Sequence, residues 1–322
     1  MKALRVLILV VASIIVETGF AENVRFKQFG THIPARPDLD VRWNPPADAL
    51  PSQIWVYHLL PTKFSPKVVA NLMSLSSLTE KDRTESSTNG MLFKSPDQSR
   101  TLRISFPSGS IQYEVSTPYN PTNLTKDVPN KKEALERVRK LLPKFGIGLS
   151  EIEKNDDGTD ARLNCGDSES IFSLNGCAVT NVEWRGVGFR RAVDGITFIS
   201  VGTGGEGHVR FGNHGKITKI DLSWRNMERV KSYPTLSPAE MIYALRQGKA
   251  VQGYLSMNSR GIDWRTAKAM TVNHLWARYY AGDSEHPSDM LEPFAVLDSD
   301  VDTGNGIVNV EIDCPIIDET AP

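Results

Sequence analysis

"GITFISVGTGGEGHVRFGNHGKI", residues 195–217, is the stretch whose reading decides the fold. Gly202, Gly204 and Gly207 spell G-x-G-x-x-G behind the apolar run Ile196–Val201. A phosphate-cradling loop needs a helix to open at the third glycine, so that its first N–H groups and its dipole face the anion. Here His208-Val209-Arg210-Phe211 follows instead, with Val209 and Phe211 alternating with polar residues. That is strand spelling, and Gly212-Asn213-His214-Gly215 closes it as a turn. Thr218, Ile220, Leu222 and Trp224 then alternate along the next strand. The stretch therefore reads strand, turn, strand, turn, strand, with glycine accepting turn conformations at little cost. Gly215-Lys216-Ile217 is no phosphate loop either, because it lacks the hydroxyl residue that follows the lysine.

Outward from this meander, three helix starts punctuate the chain. Ser65-Pro66 gives a cap and a first-turn proline, followed by Val68, Val69, Leu72 and Leu75 at helical spacing. Asn130-Lys131-Lys132-Glu133 has the form of a capping box, with Ala134, Leu135, Val138, Leu141 and Leu142 as its apolar stripe. Ser237-Pro238-Ala239-Glu240 repeats the device, and Gly248 marks the stop. Strands follow each helix. Leu102, Ile104 and Phe106 alternate into Pro107-Ser108-Gly109-Ser110, and Ile111, Tyr113 and Val115 alternate back. The last helix is followed by strands around Thr271–Tyr280, Pro293–Leu297 and Ile307–Ile312.

The expected fold class is accordingly α+β: successive helix-plus-antiparallel-meander modules, each helix packed on a curved sheet. The modules divide as residues 22–128, 129–232 and 233–322, and the Pro-, Asn- and Thr-rich residues 117–130 read as a linker.

Residues 1–21 read as a secretory leader. Lys2 and Arg5 precede an apolar stretch from Val6 to Val16, too short for a comfortable bilayer span, and Gly19-Phe20-Ala21 supplies a cleavage site before Glu22. An uncleaved anchor is the alternative. The expectation is an exported, periplasmic or extracellular protein with no stable membrane insertion after cleavage. Removing Lys2, Arg5 and Glu17 with the leader leaves 35 basic and 37 acidic residues. That balance gives no electrostatic reason to expect nucleic acid or an anionic membrane as partner. Asn123-Leu124-Thr125 matches a glycosylation sequon.

The chain has three cysteines, Cys165, Cys177 and Cys314. Export favours a Cys165–Cys177 disulfide across the short polar loop that separates them, with Cys177–Cys314 as the alternative. Among possible metal ligands, Asp298, Asp300 and Asp302 alternate in a stretch that reads as a calcium loop or an acidic hairpin turn. As an EF-hand it fails, since Thr303 holds the place of the required glycine and Asn309 that of the closing glutamate. His208 and His214 flank one short strand but do not supply the three or four ligands of a site. Arg185, Arg190, Arg191, Arg210 and Arg225 read as a solvated sheet face, and Trp224 and Trp276 as core. No catalytic spacing and no cofactor motif is found.

The order helix, "GFRRAVDGITFISV", "HVRFGNHGKITKIDLSW", then a Ser-Pro-capped helix resembles the PepSY and cystatin-like modules of exported bacterial proteins. In layout it is also similar to the YycI and YycH group, extracytoplasmic regulators of a cell-wall sensor kinase. The resemblance covers residues 130–313, and 50–116 more loosely. It implies a non-catalytic scaffold that contacts a protein partner, and it carries no catalytic residues with it. The expected function is therefore an exported binding or regulatory protein rather than an enzyme. The alternatives are a cell-envelope hydrolase with a carboxylate site, or a structural subunit of an envelope complex. The expected docking edge is Ile307–Ile312, with Val209–Phe211 interior.

Overall fold

The computed structural model describes residues 30–116, 124–155, 157–174, 177–201, 205–253, 262–283 and 287–317. The leader, Asn123 of the sequon, and Gly202 and Gly204 lie outside them. The chain opens with β1 (Gly30–His32), β2 (Asp40–Trp43) and β3 (Gln53–Leu60), followed by α1 (Pro66–Ser76). Two hairpins come next, β4 (Arg83–Ser87) with β5 (Gly90–Lys94), and β6 (Arg100–Ser105) with β7 (Ser110–Val115). After α2 (Lys131–Leu141) run β8 (Leu163–Leu174), β9 (Cys177–Arg190), β10 (Ala192–Val193), β11 (Ile196–Val201) and β12 (Gly205–Phe211). β13 (Ile217–Trp224) and β14 (Asn226–Pro234) lead to α3 (Pro238–Arg246). The last strands are β15 (Val251–Gly253), β16 (Ala269–Asp283), β17 (Pro287–Asp302) and β18 (Ile307–Pro315).

The three capped helices form where the sequence places them. The Ser65 side chain accepts from the Val68 N–H, and Asn130 with Glu133, and Ser237 with Glu240, make reciprocal capping boxes. The fold class is nevertheless different from the expectation. The protein is mostly β, 53% strand against 17% helix, built on two large sheets rather than on a helix-plus-sheet module repeated three times. One sheet has eight strands in the order β4-β5-β6-β7-β13-β12-β9-β8, and the other has ten, running β1-β15-β18-β17-β16-β11-β10 with β2, β3 and β14 attached. The reason is long-range pairing that local periodicity does not encode. β7 joins β13, aligning Ile111 with Leu222, and β3 joins both β14 and β17.

The opening stretch shows the same effect. Its three strands are present, but β11 and β12 belong to different sheets: β11 runs parallel to β16, while β12 lies between β9 and β13. Gly205 and Gly207 stand within β12, not in a turn. A Cβ at Gly205 would fall 2.6 Å from the Phe198 ring, and one at Gly207 would fall 2.2 Å from that of Phe189. These glycines admit aromatic rings.

Each sheet has its own core. Val68, Val69 and Leu72 of α1 and Ala134, Val138 and Leu141 of α2 cover the eight-stranded sheet, meeting Phe93, Leu102, Ile111, Val209 and Phe211. Met241, Ala244 and Leu245 of α3 pack with Tyr279, Leu297, Val310 and Ile312 in the other core. Among the described residues no helix is long and apolar enough to cross a membrane.

The chain passes between the sheets near Leu60–Thr62, Arg190–Ala192 and Trp224–Asn226, and these crossings are bonded to one another. Thr62 Oγ1 donates to Trp224 O (2.9 Å) and accepts from Asn226 N–H (2.9 Å). Arg191 Nη1 donates to Arg225 O (2.6 Å) and Nη2 to Glu151 Oε2 (3.0 Å), with the guanidinium 5.1 Å from the Trp224 ring centre. Arg225 reaches the other way, donating to Leu59 O (2.7 Å), Ser288 O (3.1 Å) and Asp289 Oδ1 (2.7 Å). The side chains of Arg191 and Arg225 are 10% and 7% exposed, so both are buried seam residues rather than members of a solvated face.

Truncating a buried donor orphans its acceptors, at roughly 1–3 kcal/mol per group. Arg225→Ala is expected to lower the unfolding free energy by about 3 kcal/mol. Asp289→Ala is expected to lower it by less than about 1 kcal/mol, because that carboxylate is exposed. Urea denaturation of the two variants checks the ratio.

Candidate functional site

Asp298, Asp300 and Asp302 lie within β17, not in a loop, so they project from one face of a strand. Protein donors already occupy them. Asn309 Nδ2 donates to Asp298 Oδ1 (2.9 Å) and Asp300 Oδ1 (3.2 Å), and Asn273 Nδ2 to Asp300 Oδ2 (2.8 Å). His274 Nδ1 lies 2.9 Å from Asp298 Oδ2, and Gly304 N–H donates to Asp302 Oδ1 (2.8 Å). Among the described residues no group of three or more His, Cys, Asp or Glu side chains is placed to hold a metal ion.

The strand register overturns the Cys165–Cys177 disulfide. Cys165 stands opposite Val187 and Cys177 opposite Leu174, nine positions further along β8. At about 3.3 Å per residue that is roughly 30 Å, far beyond the reach of an S–S bond. Cys165 and Cys314 are free thiols; burial pushes the first upward and the second, fully enclosed, to about 12. Neither is primed as a nucleophile. His208 and His214 also separate: His208 meets the edge of Trp184, and His214 pairs with Asp127 at 2.9 Å. Tyr57 donates to Asp194, and its phenol is pushed up to about 12, chiefly by burial. It holds the turn between β10 and β11, where Asp194 and Gly195 have φ of 51° and 80°.

Among the described residues β18 is open on its far side only from Ile307 to Glu311, a shorter edge than expected. The whole strand pairs with β17, Ile312 and Asp313 pair with β15 as well, and Val310 is buried in the core. β12 is interior, as the sequence indicates. The long open edge is β8, in a region whose sequence reads only as a variable loop. Among the described residues no strand pairs with its far side along twelve residues. Other terminal strands are short or blunted: β4 has five residues and an irregular register, β1 has three, and β14 bulges between Arg229 and Lys231.

The ladder geometry identifies the groups that face outward. Backbone groups of successive residues in an antiparallel strand point alternately to one neighbour and the other. Arg191 N–H donates to Gly205 O (2.7 Å) on the β12 side, so Gly188 and Gly186 point to β8, where Asn164 and Gly166 face them. Cys165 and Asp167 therefore point away from β9. A bulge then places Ser168 opposite Trp184 and Glu169 opposite Val182, whose carbonyl turns away from β8 to accept from Thr125 Oγ1. Glu169 and Ile171 thus also direct their N–H groups outward. β9 pairs with β12 only from Arg185 to Arg190, so the far half of the β8–β9 hairpin overhangs the sheet. Ile171, on that half, is 74% exposed.

No protein-family model matches the chain, and no curated protein matches it. A solved structure of an uncharacterized protein from Eubacterium rectale is similar over 86% of each chain, at 12% identity and a TM-score of 0.44.

One titrating group stands out on the ten-stranded sheet. Burial raises the Asp313 carboxyl to about 7, against the opposing pull of Arg278, while Glu311 pushes the same way as burial. A folded-state value above the unfolded one means that the folded state holds the proton more tightly. Its contribution is present below about pH 4 and lost as pH rises to 7. Asp313→Asn is expected to match the wild type at pH 4, exceed it at pH 8, and flatten the slope between. Urea midpoints across that range measure it.

Proposed function

We propose that the protein works by contact with another protein, adding an extended segment of its partner to the open edge of β8. The observation that carries this reading is a twelve-residue strand paired on one side only, with outward N–H groups at Cys165, Asp167, Glu169 and Ile171. An unpaired edge offers a row of donors and acceptors, and strand addition draws its affinity from them. The leader spelling of residues 1–21 supports placing that contact outside the cytoplasm. The PepSY-like layout of the sequence agrees with a non-catalytic scaffold.

Glu169→Pro tests the reading. Proline removes one outward N–H and leaves the β8–β9 ladder intact, whereas Ser168→Pro would remove a ladder bond instead. The Glu169→Pro protein is expected to keep the wild-type circular dichroism spectrum and to lose the partner that co-purifies from the native host. Retention of that partner would remove β8 from consideration.

A second reading, hydrolysis by a carboxylate pair, is favoured by one observation. Glu311 and Asp313 are two apart on one face of β18, so their Cα atoms lie about 7 Å apart, beside Arg278. A carboxyl held protonated beside an ionised carboxylate is the pair of groups that glycoside hydrolysis uses, and burial raises Asp313 to about 7. Release of reducing sugar from cell-wall glycan, abolished in Glu311→Gln and in Asp313→Asn, would establish it in place of the first.

A further inference from the structure

The β8 edge has a charge pattern as well as free backbone. Alternation puts Asp167, Glu169 and Ile171 on one side of the strand, in the order acid, acid, apolar. Asp167 is held by Arg185 Nη2 of the neighbouring strand at 3.0 Å. Glu169 and Ile171 are exposed, and no ion pair to Glu169 is found among the described residues. Glu183, the bulged residue of β9, accepts from Ser168 Oγ at 3.2 Å on the opposite face of the strand and leaves this pattern unchanged. No lysine or proline guards the strand.

Side chains directly opposite in adjacent strands interact, and like charges so placed are destabilising. Two copies of this chain joined antiparallel about residue 168 or 169 would set acid against acid. The same carboxylates favour an incoming strand with cations at those positions. Resting on the strand-addition reading above, we propose that β8 selects a basic extended segment of a partner protein. It would enter antiparallel with the pattern apolar-x-basic-x-basic. The apolar residue then stands against Ile171, the first basic residue against Glu169 and the second against Asp167. Main-chain bonds hold the segment, and the alternating side chains choose it.

Three fluorescein-labelled nine-residue peptides test this with the full chain. One carries Leu-Ser-Lys-Thr-Lys at its centre, and the others replace both lysines by glutamine or by glutamate. Binding is read by fluorescence anisotropy at physiological salt. Two favourable cross-strand pairs predict about fivefold tighter binding of the lysine peptide than of the glutamine one, with the glutamate peptide weakest. Glu169→Gln, which keeps the outward N–H, should reduce the lysine preference to about twofold. Glu169→Pro should abolish binding of all three. Equal binding of lysine and glutamine peptides, both lost in Glu169→Pro, would overturn the charge selection while leaving strand addition standing. Lysine-peptide binding that survives Glu169→Pro would overturn both, since the peptide would be held by surface charge alone. A dimer in sedimentation that Glu169→Pro dissociates would assign the edge to a second copy and overturn the proposal. Absence of binding by every peptide would also overturn it.

Discussion

The architecture depends on how two arginines solve the problem of chain crossings. A chain that moves repeatedly between two sheets leaves main-chain carbonyls at each crossing with no ladder partner, and a buried orphan carbonyl is costly. Arg191 and Arg225 answer with several donors each in a fixed planar fork. Arg191 binds the Arg225 carbonyl, and Arg225 binds the carbonyls of Leu59 and Ser288. Glu151 supplies the counter-charge to Arg191 while accepting from Trp224 Nε1 at 3.2 Å. The crossings are thereby fixed relative to one another, and with them the two sheets.

That seam leaves the far end of the eight-stranded sheet unencumbered. β8 and β9 are anchored near Arg190, where the chain leaves for β10, and extend from there to Leu174 and Cys177. Thr125 and Asn213 tie the segment before α2 to this region: Thr125 bonds the Asn181 side chain, and Asn213 Oδ1 accepts from Lys126 N–H. The open edge is thus presented on a braced support rather than on a free loop, which reduces the entropy lost when a partner strand is ordered against it.

What could be read from the sequence was what local chemistry determines. Ser65, Asn130 and Ser237 cap their helices because capping involves residues within one turn. Ile111 and Tyr113 alternate because one face of their strand is buried. β8 was illegible for the converse reason: with little buried on either face, Asn164 to Ser170 show no apolar period. Neither could sequence separate Arg191 and Arg225 from surface arginines, since their burial is created by crossings that meet only in three dimensions. The cysteine spacing misled because a long hairpin sends residues twelve apart in sequence to its opposite ends. The alternating aspartates looked like a loop because a strand face and a calcium loop share that spacing.

The order of strands along the chain sets an order of assembly. β4 to β9, with β12 and β13, lie between β3 and β14, so the eight-stranded sheet is nearly complete as an insertion within the other. Its ladders close once Trp224 has been made. The ten-stranded sheet cannot close so early, because β3 pairs with β17 and β2 with β16, more than two hundred residues later. Such distant pairings form slowly, since the entropy of loop closure must be met before the contact rewards it. During synthesis β1, β2 and the apolar β3 wait unpaired beside a half that is already folding. Vulnerability to aggregation is therefore concentrated in Ile54–Leu60, whose partners β14 and β17 are made only after the eight-stranded sheet.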